Sequence, residues 1–426
     1  MIDGGANLDA SVVEASESGV DGSADKDSTF AGHDGSILDR NAVHDVSPCP
    51  TPHFSLYVPP TVRPGCVPRT CAGYTRVCGT ISDGCDRLLD CGPCDEPRVR
   101  NIDIPLNDIE WDPFRGLLYG SVPSSAGAMG NRVITIDPAT AMVVGALFVG
   151  SEPDPLSISE DGRLLYVGLN GSATVRAIDL RTGVAEPPFF VGNAGAAGES
   201  LYAFDIAALP DAPTAVAVVR ATVAASYVRG VAIFDNGAMR PVTTPPSFSI
   251  TDAIAFGGPG VLLGINSHDT GGDFSVLSVC NDGVSLVGST PFVVSAFRQE
   301  LRVSGGLAFH GDLVIDPATR SRVGQYEIPA SDGVPDYFVT LPDASTQRTY
   351  VVTTPRSTGG LSSLVAYERE RFRRLDALSL SLMLGVPGRA TTCGPGCIAV
   401  LTTSLGVTSP RLYLIQTPFV AELHIR

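Results

Sequence analysis

From Arg98 to its C-terminus the chain repeats itself. The stretch ITIDPATAMVVGALFVG (134–150) returns as RAIDLRTGVAEPPFFVG (176–192) and as VIDPATRSRVGQYEI (314–328), with weaker echoes in AIFDNGAMRPV, SVCNDGVSLVG and VAYERERFRRL. A preceding half-repeat pairs WDPFRGLLYGSV (111–122) with SEDGRLLYVGLN (159–170). Taking Asp137, Asp179, Asp235, Cys280, Asp316, Glu368 and Gln416 as equivalent gives seven units with a mean spacing of about 46 residues, a period that signals a repeat architecture. Within each unit short runs alternate apolar and polar residues and break at Asp-Gly, Pro-Asp or Gly-Gly, so the units are built of strands and tight turns.

Four short strands per 40–50 residues make a blade, and seven such units predict an all-β fold: a seven-bladed β-propeller of four-stranded blades over residues 98–426. A closed ring needs its ends to meet, so RVRNIDI (98–104) is expected to pair near VAELHIR (420–426). Ahead of the propeller lie three shorter segments. Residues 1–45 carry ten acidic and two basic side chains among Ser, Gly and Ala, too few large apolar groups to offset the entropy of ordering, and read as a disordered acidic tether. Calcium loops started at Asp21 or Asp25 place Lys26 or Phe30 where the invariant glycine belongs. Residues 46–65, with Pro48, Pro50, Pro52, Pro59, Pro60 and Pro64, read as an extended proline-rich spacer.

The third segment, 66–97, holds Cys66, Cys71, Cys78, Cys85, Cys91 and Cys94. A piece this small cannot build its own core, and disulfides are the usual remedy. Zinc is the rival, but only one CxxC pair is present and no histidine lies in the segment. Six cysteines allow 15 connectivities, among which the sequence does not choose. Cys393 and Cys397 flank Gly-Pro-Gly, a turn short enough to bring two thiols into disulfide range. Cys280 and Cys49 are left free or paired.

Composition narrows function by exclusion. The net charge of −16 leaves no basic footprint for nucleic acid or anionic lipid. Lys26 is the single lysine, so a folded phosphate-loop or Schiff-base lysine is excluded. No apolar run reaches the roughly 18 residues of a membrane span. The cysteine density points to an oxidising, extracytoplasmic compartment, either the cell surface, the periplasm or the medium. No basic start followed by an apolar run appears in the first 45 residues.

At 155–192 an apolar strand is followed by DGRLLYV, a later VRAID and then TGVAEPPFFVG. This pattern resembles the YVTN/NHL-type bacterial seven-bladed propellers and, with decay, extends over 101–426. The resemblance implies the propeller fold; its family includes binding modules, lactonase-like hydrolases and members without known activity, so it implies little about chemistry. The cysteine segment resembles disulfide modules on secreted or lipid-anchored surface proteins of high-GC bacteria.

Once the units are aligned, Asp108, Asp154, Asp205, Asp252 and Asp336 each begin a first strand, and Glu300 fills the fifth unit. First strands lie innermost in a propeller, so these carboxylates should surround one mouth of the channel. Such aspartates commonly accept backbone N–H groups at strand-start turns or tie neighbouring blades; the sharper reading is a ring that binds calcium or a cationic ligand. The loop NSHDTGGD (266–273) groups His268, Asp269 and Asp273 as a metal or catalytic site could, but polar loops between strands are usually solvated turns. No G-x-S-x-G elbow and no H-E-x-x-H occurs, and no catalytic residue or cofactor is assigned. The expected function is a monomeric, non-enzymatic binding module for a surface protein or carbohydrate. The alternative is a metal-dependent hydrolase or lactonase at the channel mouth, with the Asp ring holding a divalent cation.

Overall fold

The computed structural model describes residues 49–61, 64–75, 77–194, 198–222, 228–245, 252–267, 272–294, 300–331, 333–356, 360–403, 410–420 and 424–425. The acidic stretch 1–45 with its two calcium-loop candidates, and His268 and Asp269, lie outside them.

Seven antiparallel sheets follow one another in sequence, each adding strands outward from the first. Blade 1 is Asp108–Asp112, Leu117–Val122, Arg132–Asp137 and Met142–Phe148. The innermost strands of blades 2 to 7 are Pro153–Ile158, Glu199–Ala208, Ala253–Gly258, Leu301–Ser304, Tyr337–Asp343 and Val386–Thr392. Burial follows position in the blade. Second strands such as Leu164–Leu169 are buried at every residue because neighbouring blades cover both faces, whereas the outermost Met142–Phe148 alternates exposed and half-buried residues. Hydrophobic clusters accordingly span adjacent blades: Leu164, Tyr166 and Val175 of blade 2 pack with Leu201, Ile206 and Val218 of blade 3.

The seven equivalent positions that set the period each end the third strand of a blade, from Asp137 to Gln416. At three of the four positions where that residue is Asp, its carboxylate accepts the N–H two residues on: Ala139 at 2.8 Å, Arg181 at 2.9 Å and Ala318 at 2.9 Å, whereas Asp235 accepts from Thr214 and Arg240. The recurring Ile-Asp is therefore a turn device, an Asx turn into the outermost strand.

Ring closure differs from the expected pairing. Blade 7 consists of Val386–Thr392, Cys397–Thr403 and Leu412–Gln416, and its outermost strand is Arg98–Ile102, paired Ile102 to Leu412 and Arg98 to Gln416. The terminal residues His424–Ile425 pair instead with Tyr74–Thr75 of the cysteine segment. Leu412, Leu414 and Ile415 are fully buried, so the blade's apolar third strand is the partner that needs covering.

The proline-rich segment proves to be a strap, not a free spacer. Cys49 is bridged to Cys280 at the end of the third strand of blade 4. Ser278 Oγ donates to the Pro50 carbonyl, and Phe54 packs on the blade 4–5 core. Tyr57 packs on the blade 5–6 core, its hydroxyl donating to the Glu370 carbonyl at 2.9 Å. Three disulfides, Cys66–Cys85, Cys71–Cys91 and Cys78–Cys94, then cross-link the cysteine segment in the order one to four, two to five, three to six. The module docks on blade 6: Thr80 N–H donates to Asp376 Oδ2 at 3.2 Å and Arg373 Nη1 to the Asp86 carbonyl at 2.8 Å. With Cys393–Cys397 also joined, all ten cysteines are paired.

Candidate functional site

A cavity of about 800 Å³ opens along the innermost strands, near the start of most of them but at the middle of Glu199–Ala208 in blade 3, where Asp205 is an interior strand residue. Asp108, Asp154, Asp205, Asp252 and Glu300 all line it, and Glu110 and Glu152 join them. Asp336 does not: it is buried beside the hairpin of Ala330–Ser331 and Val334–Pro335, where Ser331 Oγ donates to it at 2.6 Å. Asp273, in the third strand of blade 4, does not line it either.

Two of the ring aspartates tie blades together. Asp108 accepts its neighbour Ile109 N–H at 2.7 Å and, from blade 2, Leu156 N–H at 2.8 Å. Asp205 repeats this with Ile206 at 2.9 Å and, from blade 4, Ile254 at 2.8 Å. Asp252 instead accepts the Ser267 N–H and hydroxyl at the end of its own blade's second strand, and Asp154 takes the Asn170 amide at 2.9 Å. The turn-and-tie role is thus built into the same side chains that face the cavity.

Blade 7 breaks the acidic series. Its first strand bulges between Pro387 and Arg389, as the blade 3 strand does between Ala203 and Asp205. Arg389 therefore takes the register place of an aspartate. Its guanidinium lies 3.0 Å from Asp108 and 3.4 Å from Glu300, and Glu300 also pairs with Arg302. Nothing in the sequence spacing marked Arg389, because the substitution reverses the sign of charge at a position identified by its acidity. Glu110 and Glu152 were missed because they lie off the repeating position.

The electrostatics follow from depth. Burial lifts Asp108 to about 6, against the pull of Arg389 and the Leu156 N–H. Burial lifts Asp205 to about 7, opposed by the Ile254 N–H. At Glu110 burial, reinforced by the charge on Asp108, raises the carboxyl to about 8. Burial raises Asp154 as well. Arg389 runs the other way: its burial favours the neutral form, but Asp108, Glu300, Asp154 and Asp205 outweigh that and hold it protonated. Glu110, Asp154 and Asp205 keep part of their surface toward the cavity, so solvent there tempers these shifts.

Seven carboxyl groups thus face two arginines, Arg302 and Arg389, in one cavity. Tyr202 and Phe204 add two aromatic rings, with centroids 6.1 Å apart, to its wall. An entering cation would meet carboxylates beside aromatic side chains, the two kinds of group that hold ammonium and guanidinium ions. Among the described residues, no group of three or more His, Cys, Asp or Glu side chains is arranged to hold a metal ion.

No protein-family profile matches the sequence, and no curated protein matches it. Solved structures do resemble the fold. The β-propeller domain of Cps50 (Swd1) from Myceliophteria thermophila covers 75% of this chain and 99% of its own, at 13% identity and a TM-score of 0.52. The WD40 repeats of RRP9 cover 76% and 99%, at 10% identity and a TM-score of 0.55. The structure of U3-55K covers 75% and 98%, at 10% identity and a TM-score of 0.51. At these identities the likeness is one of fold alone.

Proposed function

We propose that this chain is a non-enzymatic, extracytoplasmic binding module whose channel mouth takes a cationic group, with an organic ammonium or guanidinium as the favoured occupant and calcium as the rival. The observation that carries the reading is the 800 Å³ cavity that gathers seven carboxyl groups around two arginines. Its size suits a small ligand or a protruding side chain. The raised carboxyls support it further, since an arriving cation stabilises their charged forms and is bound with release of protons. Five disulfides support a compartment outside the reducing cytosol. The acidic N-terminal stretch, read from composition as a tether, would display the module at a distance. The YVTN/NHL-type resemblance agrees with a bacterial surface protein.

Calorimetric titration at about pH 8 with arginine methyl ester, spermidine and calcium chloride tests the reading, because the cavity carboxyls are then mostly ionised. Saturable heat with an organic cation, lost in Asp205→Asn, is the expected result. Absence of heat with all three refutes the site. Calcium binding alone, with stoichiometric metal in the purified protein, favours the metal-dependent hydrolase instead.

A further inference from the structure

A second cavity, of about 300 Å³, lies between the cysteine module and blade 6, separate from the channel mouth. The module contributes Arg69, Tyr74 and Ser82; blade 6 contributes Thr346, Arg348, Arg369 and Arg371 with Glu368 and Glu370. The glutamates are matched already. Glu368 pairs with Arg373 at 2.8 Å and with Arg371 at 3.9 Å, and Glu370 with Arg369 at 2.6 Å. Arg69 and Arg348 have no carboxylate partner among the described residues. Arg69 donates to the Tyr74 hydroxyl at 3.2 Å, and Arg348 Nη1 to the Phe419 carbonyl at 2.8 Å.

Two buried side chains of this wall carry unsatisfied atoms. Arg348 is 4% exposed and Thr346 7% exposed, yet neither Arg348 Nη2 nor Thr346 Oγ1 makes a hydrogen bond. The neighbouring Tyr350 hydroxyl is unsatisfied too. Burial raises that phenol, and Thr346 and Arg348 lie close enough to pull it part of the way back, without meeting hydrogen-bond geometry. Native interiors rarely leave such groups unpaired unless a water or an ion completes them. The hydroxyls can accept as well as donate, but Arg348 Nη2 can only donate, and together with the surplus positive charge it calls for a negatively charged acceptor.

We propose that this cavity binds a small tetrahedral oxyanion, a sulfate or phosphate group, held between Arg69 of the cysteine module and Arg348 of blade 6. The volume leaves space for a sugar-sized body attached to it. Because the two arginines belong to different parts of the chain, the ligand fastens the module to the propeller.

The test is titration calorimetry and thermal melting of the full chain with sodium sulfate, sodium phosphate, glucosamine 6-sulfate and glucose 6-phosphate, against sodium chloride at matched ionic strength. Binding of at least one oxyanion is expected, with a melting temperature raised beyond the chloride control. Arg69 is exposed, so Arg69→Ala should fold normally and weaken binding at least about tenfold; Arg348→Gln should abolish it. Tighter binding of a sugar ester than of the free ion identifies an ester ligand, and equal binding identifies the free ion. No heat from any of the four up to roughly 10 mM, a Kd range far weaker than functional sites, overturns the proposal. So does unchanged affinity in Arg69→Ala, which stands even where the buried Arg348→Gln fails to fold.

Discussion

The guanidinium of Arg389 sits 3.0 Å from the carboxylate of Asp108, joining the innermost strands of the seventh and first blades across the point where the ring closes. Asp108 is 4% exposed and keeps two backbone N–H partners. Arg389→Met would leave Asp108 and Glu300 without their shared cation. A fully buried broken pair costs about 3–5 kcal/mol. One third of the Arg389 side chain faces solvent, so a loss of about 2 kcal/mol is expected. Urea unfolding at pH 8 measures it. At pH 5 the deficit should shrink, because Asp108 takes up a proton below about 6 and no longer needs the cation.

Stability should also depend on pH through the cavity carboxyls as a group. Asp108, Asp205 and Glu110 have folded values raised to about 6, 7 and 8, above those of exposed carboxyls. The folded state therefore holds more protons than the unfolded one through this window, and the stabilisation present at low pH is lost as pH rises through the folded values. Melting temperature should fall steadily from about pH 5 to about pH 8.5. Glu110→Gln removes the highest of the three titrations and should flatten the upper part of that fall. A flat profile in the parent protein would contradict the burial of these groups.

The propeller was legible because its signals are local. Alternating runs give strands, and the Asx turn after Asp137, Asp179 and Asp316 stamps three of the seven blades with the same two letters. The ring position was legible for the same reason, down to Glu300. Arg389 was not, since its identity depends on a bulge that only the pairing reveals. Nor were the strap and the closing strand: the contacts of Cys49 with Cys280 and of Ile102 with Leu412 join distant parts of the chain, and no local pattern encodes them. Asp336 kept the motif but lost the cavity, because the hairpin 330–335 stands beside it.

The strap should be a measurable stabiliser. The Cys49–Cys280 bridge spans a sequence separation of 231 residues, and loop-closure entropy assigns such a bridge about 5.5 kcal/mol, with typical bridges delivering about 2–4. The double variant Cys49→Ser, Cys280→Ser should lose stability in that lower range under non-reducing conditions. Exposed Leu56 and Val58 lie beyond the bridge, so limited proteolysis should cut the strap in the variant at protease levels that leave the parent intact. Unchanged proteolysis would mean that Phe54 and Tyr57 hold the strap without the disulfide.

Closure of the ring rests on Arg98–Ile102, a strand supplied from before the first blade to complete the last. Ile102 is 7% exposed and packs with Leu412, Leu414 and Ile109, so it contacts both blades that meet at the seam. Ile102→Ala should therefore cost about 2–5 kcal/mol, the range for a large aliphatic cut from a core. Val144, in the outermost strand of blade 1, is 58% exposed, and Val144→Ala should stay within about 0.5 kcal/mol. The contrast separates seam packing from the general cost of shortening a strand residue. If the two variants unfold at the same urea concentration, the seam strand is peripheral and the terminal pairing of His424–Ile425 with Tyr74–Thr75 must carry the closure instead.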